Sequence, residues 1–407
     1  MLSYRSAPFG GGQGVFVYEL SKALHALGHK VDVISGPPYP NLDPVIELTS
    51  LPGLDLFSTF NFRERCELFF HKKRKNLDDY YEFLSVLLGN FPELETFGRR
   101  AKDLLKTNDY DVIIDNQSIS FGMLDLQKHT PLIEVIHHPI TKDYEYDMKF
   151  SKGILQKLSK FQWFSFLRMQ KKVAKQIALI VTPSQNSRTD IAKDFSVPIS
   201  RISVIHNGID FHIFKPMLEI DRIPHKLITT ASADVPLKGL DYSLEAMVKL
   251  KARYPEIQLT VIGAPRAGGH TERLIKLLQL ESSVTFKSNL TRKEIAEEYA
   301  SSSAAIVSSL YEGFGFPVGE AMACAIPLVA TNVASIPEIT GCYAQLIPDQ
   351  CPTAITEAVT NIFSFTDKFQ EKATDGRQHI IDNFNWDNIA KSYEVLIQDA
   401  IESFKKC

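Results

Sequence analysis

Short, nearly continuous apolar runs recur along the chain, and most are followed by a stretch whose apolar positions return every three to four residues. A strand covered on both faces reads as an unbroken apolar run, whereas a helix lying on a sheet needs only one apolar stripe. Their alternation therefore predicts βαβ units around a mainly parallel sheet. Strands are expected at 1–4, 30–35, 112–115, 132–136, 179–182 and 202–205. The opening strand runs into Phe9-Gly10-Gly11-Gly12-Gln13-Gly14 and then an amphipathic helix over 15–27, which Gly28-His29 ends. The stretch 63–106 reads as a helical, heavily charged insertion between strands.

A second series begins after the turn-rich segment 207–222. Its strands are expected at 226–230, 258–262, 284–286, 304–308 and 327–330, with helices over 240–253, 271–280, 292–299 and 318–323. Two successive series predict an α/β chain of two doubly wound, Rossmann-like domains facing a central cleft, 1–206 and 207–384.

Length supports that division, because 407 residues exceed what one ordinary core encloses. A net charge of −3 supplies no global field to recruit nucleic acid, so any basic surface must be local. The five cysteines are scattered without CxxC or metal-ligand spacing, which favours a reduced compartment. The chain opens without an apolar signal region, and no apolar run approaches the ~18 residues that span a bilayer. A cytoplasmic protein is expected.

The chemistry concentrates in Glu312-Gly313-Phe314-Gly315-Phe316-Pro317-Val318-Gly319-Glu320. Glu312 follows a buried strand, at the end where open α/β sheets bind ligands. Pro317 suits a first helical turn, which sets the amides near Gly315 and Phe316 at a helix amino end able to face a diphosphate. Glu320 falls in the first turns of that helix. Two acids bracketing such a loop suit a nucleotide-sugar held at its sugar by Glu312 and at its ribose by Glu320. Lys238-Gly239, before another helix, is a second candidate phosphate contact. In the opening loop, glycines let the backbone approach a ligand, although Gly10, Gly12 and Gly14 do not space as GxGxxG and Asp32 is misplaced for a nicotinamide ribose.

His137-His138 leaves the strand at 132–136, where a histidine titrating near neutrality can serve a sugar hydroxyl or a developing phosphate charge. Asn116 and Gln117 leave a neighbouring strand and are candidates to bond an acceptor. Asp109-Tyr110-Asp111 looks like a paired-acid metal motif but precedes its strand, so it reads as a surface turn, and no metal is called for. Between 149 and 175, Lys149, Lys152, Lys157, Lys160, Arg168, Lys171, Lys172 and Lys175 interleave with aromatic and aliphatic residues, with no acid from Met148 to Thr189. Such a segment either contacts an anionic membrane peripherally or packs its aromatic face on its own domain.

The run Glu312–Glu320 with Ala321-Met322-Ala323 resembles the retaining glycosyltransferases of family 4, which have the GT-B fold. Asn207-Gly208-Ile209-Asp210, Lys238-Gly239, the glycine-rich opening and Val329-Ala330-Thr331 through Pro337-Glu338 resemble the same family, so the likeness spans essentially the whole chain. The resemblance implies an enzyme moving a hexosyl group from a UDP-, GDP- or ADP-sugar to a hydroxyl acceptor such as a glycolipid or polysaccharide precursor, without a metal. Glu312 would meet the transferred sugar and Glu320 the ribose. Lys238 and amides around Gly11, Gly12 and Phe316 would hold the diphosphate, and His137 would lie beside the reacting sugar. A last helix over 385–407 would cross back to the first domain. One departure is that Ala233 stands where the family carries an Arg five residues before the phosphate-binding Lys; either Arg266 replaces that cation or the diphosphate is held less firmly. Two other readings are a nucleotide-sugar epimerase on the same fold and a non-catalytic membrane- or polymer-binding protein with a degenerate pocket.

Overall fold

Every apolar run expected as a strand lies in one of two parallel sheets. The computed structural model describes residues 1–6, 11–59, 61–107 and 109–406, and the chain divides into unit 1, Met1–His206 with Trp386–Cys407, and unit 2, Asn207–Asn385. In unit 1 the strands are β1 Leu2–Ser3, β2 Asp32–Ser35, β3 Glu47–Ser50, β4 Ile113–Asn116, β5 Leu132–Val135, β6 Leu179–Thr182 and β7 Ile202–Val204. Their order is β3-β2-β1-β4-β5-β6-β7. Unit 2 holds β8 Lys226–Thr230, β9 Gln258–Ile262, β10 Val284–Lys287, β11 Ala304–Val307, β12 Leu328–Thr331 and β13 Gln345–Ile347, ordered β10-β9-β8-β11-β12-β13.

Each sheet reverses its winding once, between β1 and β4 and between β8 and β11. At such a reversal the loops leaving the strand ends diverge to opposite faces and leave a crevice. Gly11, Gln117, His137, Lys238, Glu312 and Gly315 sit in segments that follow strand ends, while Asn116 is the last residue of β4 and Glu320 lies within the helix Phe316–Ala323. The pattern did not foretell β3 or β13. Both are short edge strands, and β3 has no buried residue, so neither shows the apolar run of a central strand.

The insertion forms three helices, Phe62–His71, Leu77–Leu87 and Glu93–Leu105. The third crosses the helix Phe121–Leu126 at two glycines: a Cβ on Gly122 would stand 2.1 Å from the Gly98 carbonyl oxygen. The basic stretch 149–175 breaks into pieces with different fates. The helix Leu167–Ala174 buries Leu167, Met169, Val173 and Ala174 in its own unit, whereas the helix Ile154–Trp163 buries nothing. The last helix, Trp386–Lys405, belongs to unit 1, where Trp386 and Tyr393 lie 6.3 and 6.1 Å from the ring of Phe16 in the helix Gly12–Ala26.

Candidate active site

In unit 2 the chain leaving β11 is fastened to the turn that follows β8. Ser308 Oγ donates to the Gly239 carbonyl at 2.9 Å, and the Leu310 N–H donates to the Leu237 carbonyl at 2.7 Å. Gly239 has φ 62°, and a Cβ there would lie 2.0 Å from the Ser308 carbonyl oxygen. Only glycine allows this approach. The clamp sets Lys238 Nζ 2.8 Å from Glu312 Oε1, which also accepts from Ser309 Oγ at 2.7 Å. Glu312 is 8% exposed, so its ion pair is held in low dielectric.

Behind Glu312, Ser335 Oγ lies 2.9 Å from the Glu312 carbonyl and 2.7 Å from that of Phe314. That hydroxyl pins the loop ahead of Gly315, whose φ of 102° turns the chain into the helix Phe316–Ala323, with Pro317 in its first turn. First-turn amides have no partner within a helix, so this amino end presents N–H groups and partial positive charge. Glu320, four residues on, occupies different surroundings from Glu312. Its carboxylate makes no hydrogen bond among the described residues, and burial pushes its pKa up to about 7 against the pull of Arg292. Ala233 is buried; beside it Asp234 accepts the backbone N–H of Arg266 and of Thr271, both at 2.8 Å, which brings Arg266 to the same loop cluster.

In unit 1, Gly11 precedes the helix Gly12–Ala26 with φ 90° and open space where a Cβ would be. Gly10 lies outside the described residues. His137 follows β5, its Nε2 2.7 Å from Asn116 Oδ1 and its N–H donating to Gln117 Oε1 at 2.8 Å. The Asn116 amide donates to Ser3 Oγ at 3.2 Å, which orients Oδ1 toward His137 and makes Nε2 the protonated ring nitrogen. Asn116 and Gln117 are buried, so the structure commits both side chains to His137. Expected to titrate near neutrality, His137 instead has its pKa lowered to about 3 by burial, with His138 adding to the shift. The ring is neutral at physiological pH and Nδ1 carries its lone pair.

Beneath this shell lies a group that the sequence reading passed over. The β4–β5 register sets Asp115 opposite Glu134, both fully buried. Asp115 Oδ2 accepts from the Ser118 N–H at 3.0 Å, from Ser118 Oγ at 2.6 Å and from the Ile119 N–H at 3.3 Å. Asp115 Oδ1 and both Glu134 oxygens lack a conventional partner. Two buried carboxyls side by side cannot both ionise. Burial, then the neighbouring Asp115, drives Glu134 well above the carboxylate range, so Glu134 is the acid and Asp115 its acceptor. The pair ties down a turn in which two non-glycine residues, Gln117 and Ile119, have φ of 63° and 46°. An acid inside the apolar run Leu132-Ile133-Glu134-Val135-Ile136 was the available signal. Ser309 and Ser335 also escaped notice; Ser309 stands three residues before Glu312, near enough to bond it locally. Asp109 and Asp111 are exposed ahead of β4, and Tyr110 donates to Asp32 at 3.0 Å.

Two doubly wound parallel sheets, each with polar side chains on the loops near its reversal, are the architecture of GT-B glycosyltransferases. The chain belongs to glycosyltransferase family 4: the family profile of that description matches residues 10–212, and that of the glycosyl transferases group 1 matches 222–379. It is 35% identical over 418 aligned positions to the MMP alpha-(1->4)-mannosyltransferase of Mycolicibacterium hassiacum, covering 100% of this chain and 99% of that one. Among solved structures, sucrose-phosphate synthase from Thermosynechococcus elongatus superposes with a TM-score of 0.74 at 20% identity over 99% of each chain. Anabaena HepE in complex with UDP-glucose does so with a TM-score of 0.69 at 15% identity, again over 99% of each.

Proposed function

We propose that this glycosyltransferase moves a mannosyl group from a nucleoside diphosphate mannose to a hydroxyl of a glycolipid or polysaccharide precursor, with retention at the anomeric carbon. A relative 35% identical from end to end is an alpha-mannosyltransferase, which favours transfer of mannose over epimerisation or mere binding. A GT-B neighbour holding UDP-glucose supports the donor class. The observation that carries the reading is the Lys238–Glu312–Ser309 cluster where the β8 and β11 loops meet.

In the donor complex Glu312 accepts from hydroxyls of the mannosyl ring and releases Lys238 toward the diphosphate. The amides at Gly315 and Phe316 share that charge, and Glu320 accepts from the ribose. As the bond from C1 to the diphosphate oxygen breaks, negative charge grows on the leaving group, where Lys238 and the amide dipoles already point. The acceptor oxygen forms its bond to C1 on the same face, through an oxocarbenium-like state, and its proton passes to the departing phosphate oxygen. His137, neutral and held by Asn116 and Gln117, offers Nδ1 to a substrate hydroxyl. Lys238 and the amides fill the cationic roles, so the proposal calls for no metal.

The test supplies GDP-, UDP- and ADP-mannose with a short mannoside and reads the product anomer by NMR. One donor should give an α-linked product, with turnover undiminished by excess EDTA. A β-linked product, or epimerised donor without transfer, overturns the proposal.

A further inference from the structure

The helix Ile154–Trp163 is docked by its back. Its inward anchors are Trp163, whose ring lies 5.0 Å from Phe57 and 5.3 Å from Phe91, and Lys160, which pairs with Asp147 at 2.5 Å. Ile154, Leu155, Leu158 and Phe161 are 77, 84, 57 and 52% exposed. At about 100° per residue these four share roughly a third of the circumference, opposite Trp163. An ordinary surface helix turns its apolar stripe to the core, and this one turns it outward.

The neighbouring helix does the same. Leu77, Leu84, Leu87 and the following Leu88 are all exposed, and at that end a Cβ built on Gly89 would lie 3.8 Å from the Gln162 side chain. Cations rim the apolar surface. Lys152 is exposed just before the first helix and Lys157 along it, while Lys73 and Arg74 are exposed in the Lys72–Lys75 run that precedes the cap residue Asn76 of the second. The acids of the Leu77–Leu87 helix do not offset them: Asp79 and Glu82 are buried, and Asp78 pairs with Arg99 at 3.0 Å. No helix among the described residues is long and apolar enough to cross a membrane.

We propose that this face of unit 1 lies on an anionic lipid surface, with Ile154, Leu155, Leu158 and Phe161 entering the headgroup boundary and the lysines meeting lipid phosphates. A second copy is a poorer occupant, because a self-complementary contact would set the same cationic rim against itself. The inference is independent of the reaction proposed above.

Flotation of the full chain tests it, using vesicles of phosphatidylcholine alone or of about three parts phosphatidylcholine to one of phosphatidylglycerol. The protein should float with the anionic vesicles only. Leu155→Glu with Leu158→Glu should lower partitioning at least about tenfold, and Lys152→Gln with Lys157→Gln about fivefold for each lysine. The altered residues are exposed, so melting temperature should not move. Failure of the unaltered protein to float, or flotation of the variants at its level, overturns the proposal. So does a dimer that the leucine substitutions abolish in a protein that never floats.

Discussion

Glu320 ties a single ionisation to both stability and binding. Its folded pKa of about 7 stands above the ordinary 4.5, so between those values the folded protein keeps a proton that the unfolded chain has lost. Stability from this group therefore falls as pH rises from about 4.5 to 7 and is level beyond. If Glu320 meets the ribose as proposed, the ionised carboxylate is the stronger acceptor, so calorimetric affinity for the cognate nucleoside diphosphate should rise by up to about tenfold per pH unit below about 7 and then flatten. Glu320→Gln should abolish that slope and raise stability at pH ~8 by on the order of 1–2 kcal/mol, since the group is only partly buried. An unchanged slope in the variant would assign it to another residue. The Asp115–Glu134 pair makes a second residue-level prediction. Glu134→Gln keeps an N–H to donate to Asp115 and should turn over near the native rate. Glu134→Leu strands a buried carboxylate oxygen, which costs about 1–3 kcal/mol. It should also lower kcat about tenfold through the turn that holds His137, with nucleotide affinity unchanged, because the nucleotide contacts proposed above lie in unit 2. Equal kcat in the two variants would leave the pair a purely structural role.

At the scale of elements, one glycine turn decides whether Lys238 reaches Glu312. Gly239→Ala adds a Cβ 2.0 Å from the Ser308 carbonyl at a φ of 62°. The turn must lift from β11, at a cost of about 1–3 kcal/mol. Nucleotide affinity and turnover should fall together, as they should in Lys238→Met; a Gly239→Ala protein with native affinity would show that the clamp does not place Lys238. This level was partly legible in the sequence. Apolar runs at 132–136, 179–182, 226–230 and 258–262 lie on β5, β6, β8 and β9 because strands buried on both faces have little freedom of composition. The helix opened by Phe316-Pro317 was legible from its proline and the glycine before it. The edge strands β3 and β13 were not, since few of their positions are buried. Nor was the Lys238–Glu312 bond, whose partners are separated by 74 residues. Glycine-rich spacing marked a turn, and only the packed structure shows which strand exit it grips. His137 was found from its place after β5, but its neutrality comes from burial, which one residue's identity does not encode.

For the molecule as a whole, the path of the chain matters more than either sheet. Unit 1 is completed by its two chain ends, with unit 2 inserted between them. Tyr393 of the last helix is 1% exposed, and its ring lies 6.1 Å from Phe16, which in turn packs edge-on at 4.8 Å against His137. The carboxyl-terminal helix is thus part of the wall behind a candidate site residue. Tyr393→Ala removes an aromatic side chain from that wall and should destabilise unit 1 by about 3–5 kcal/mol. Because unit 2 has its own core on both faces of its sheet, the loss should be local. Hydrogen exchange should quicken in β1, β4 and β5 while β8, β11 and β12 keep their protection. Turnover should fall as Phe16 and His137 gain freedom, and the cognate nucleoside diphosphate, whose proposed contacts lie in unit 2, should bind as before. Uniform loss of protection across both units would instead mean that the two fold as one cooperative body.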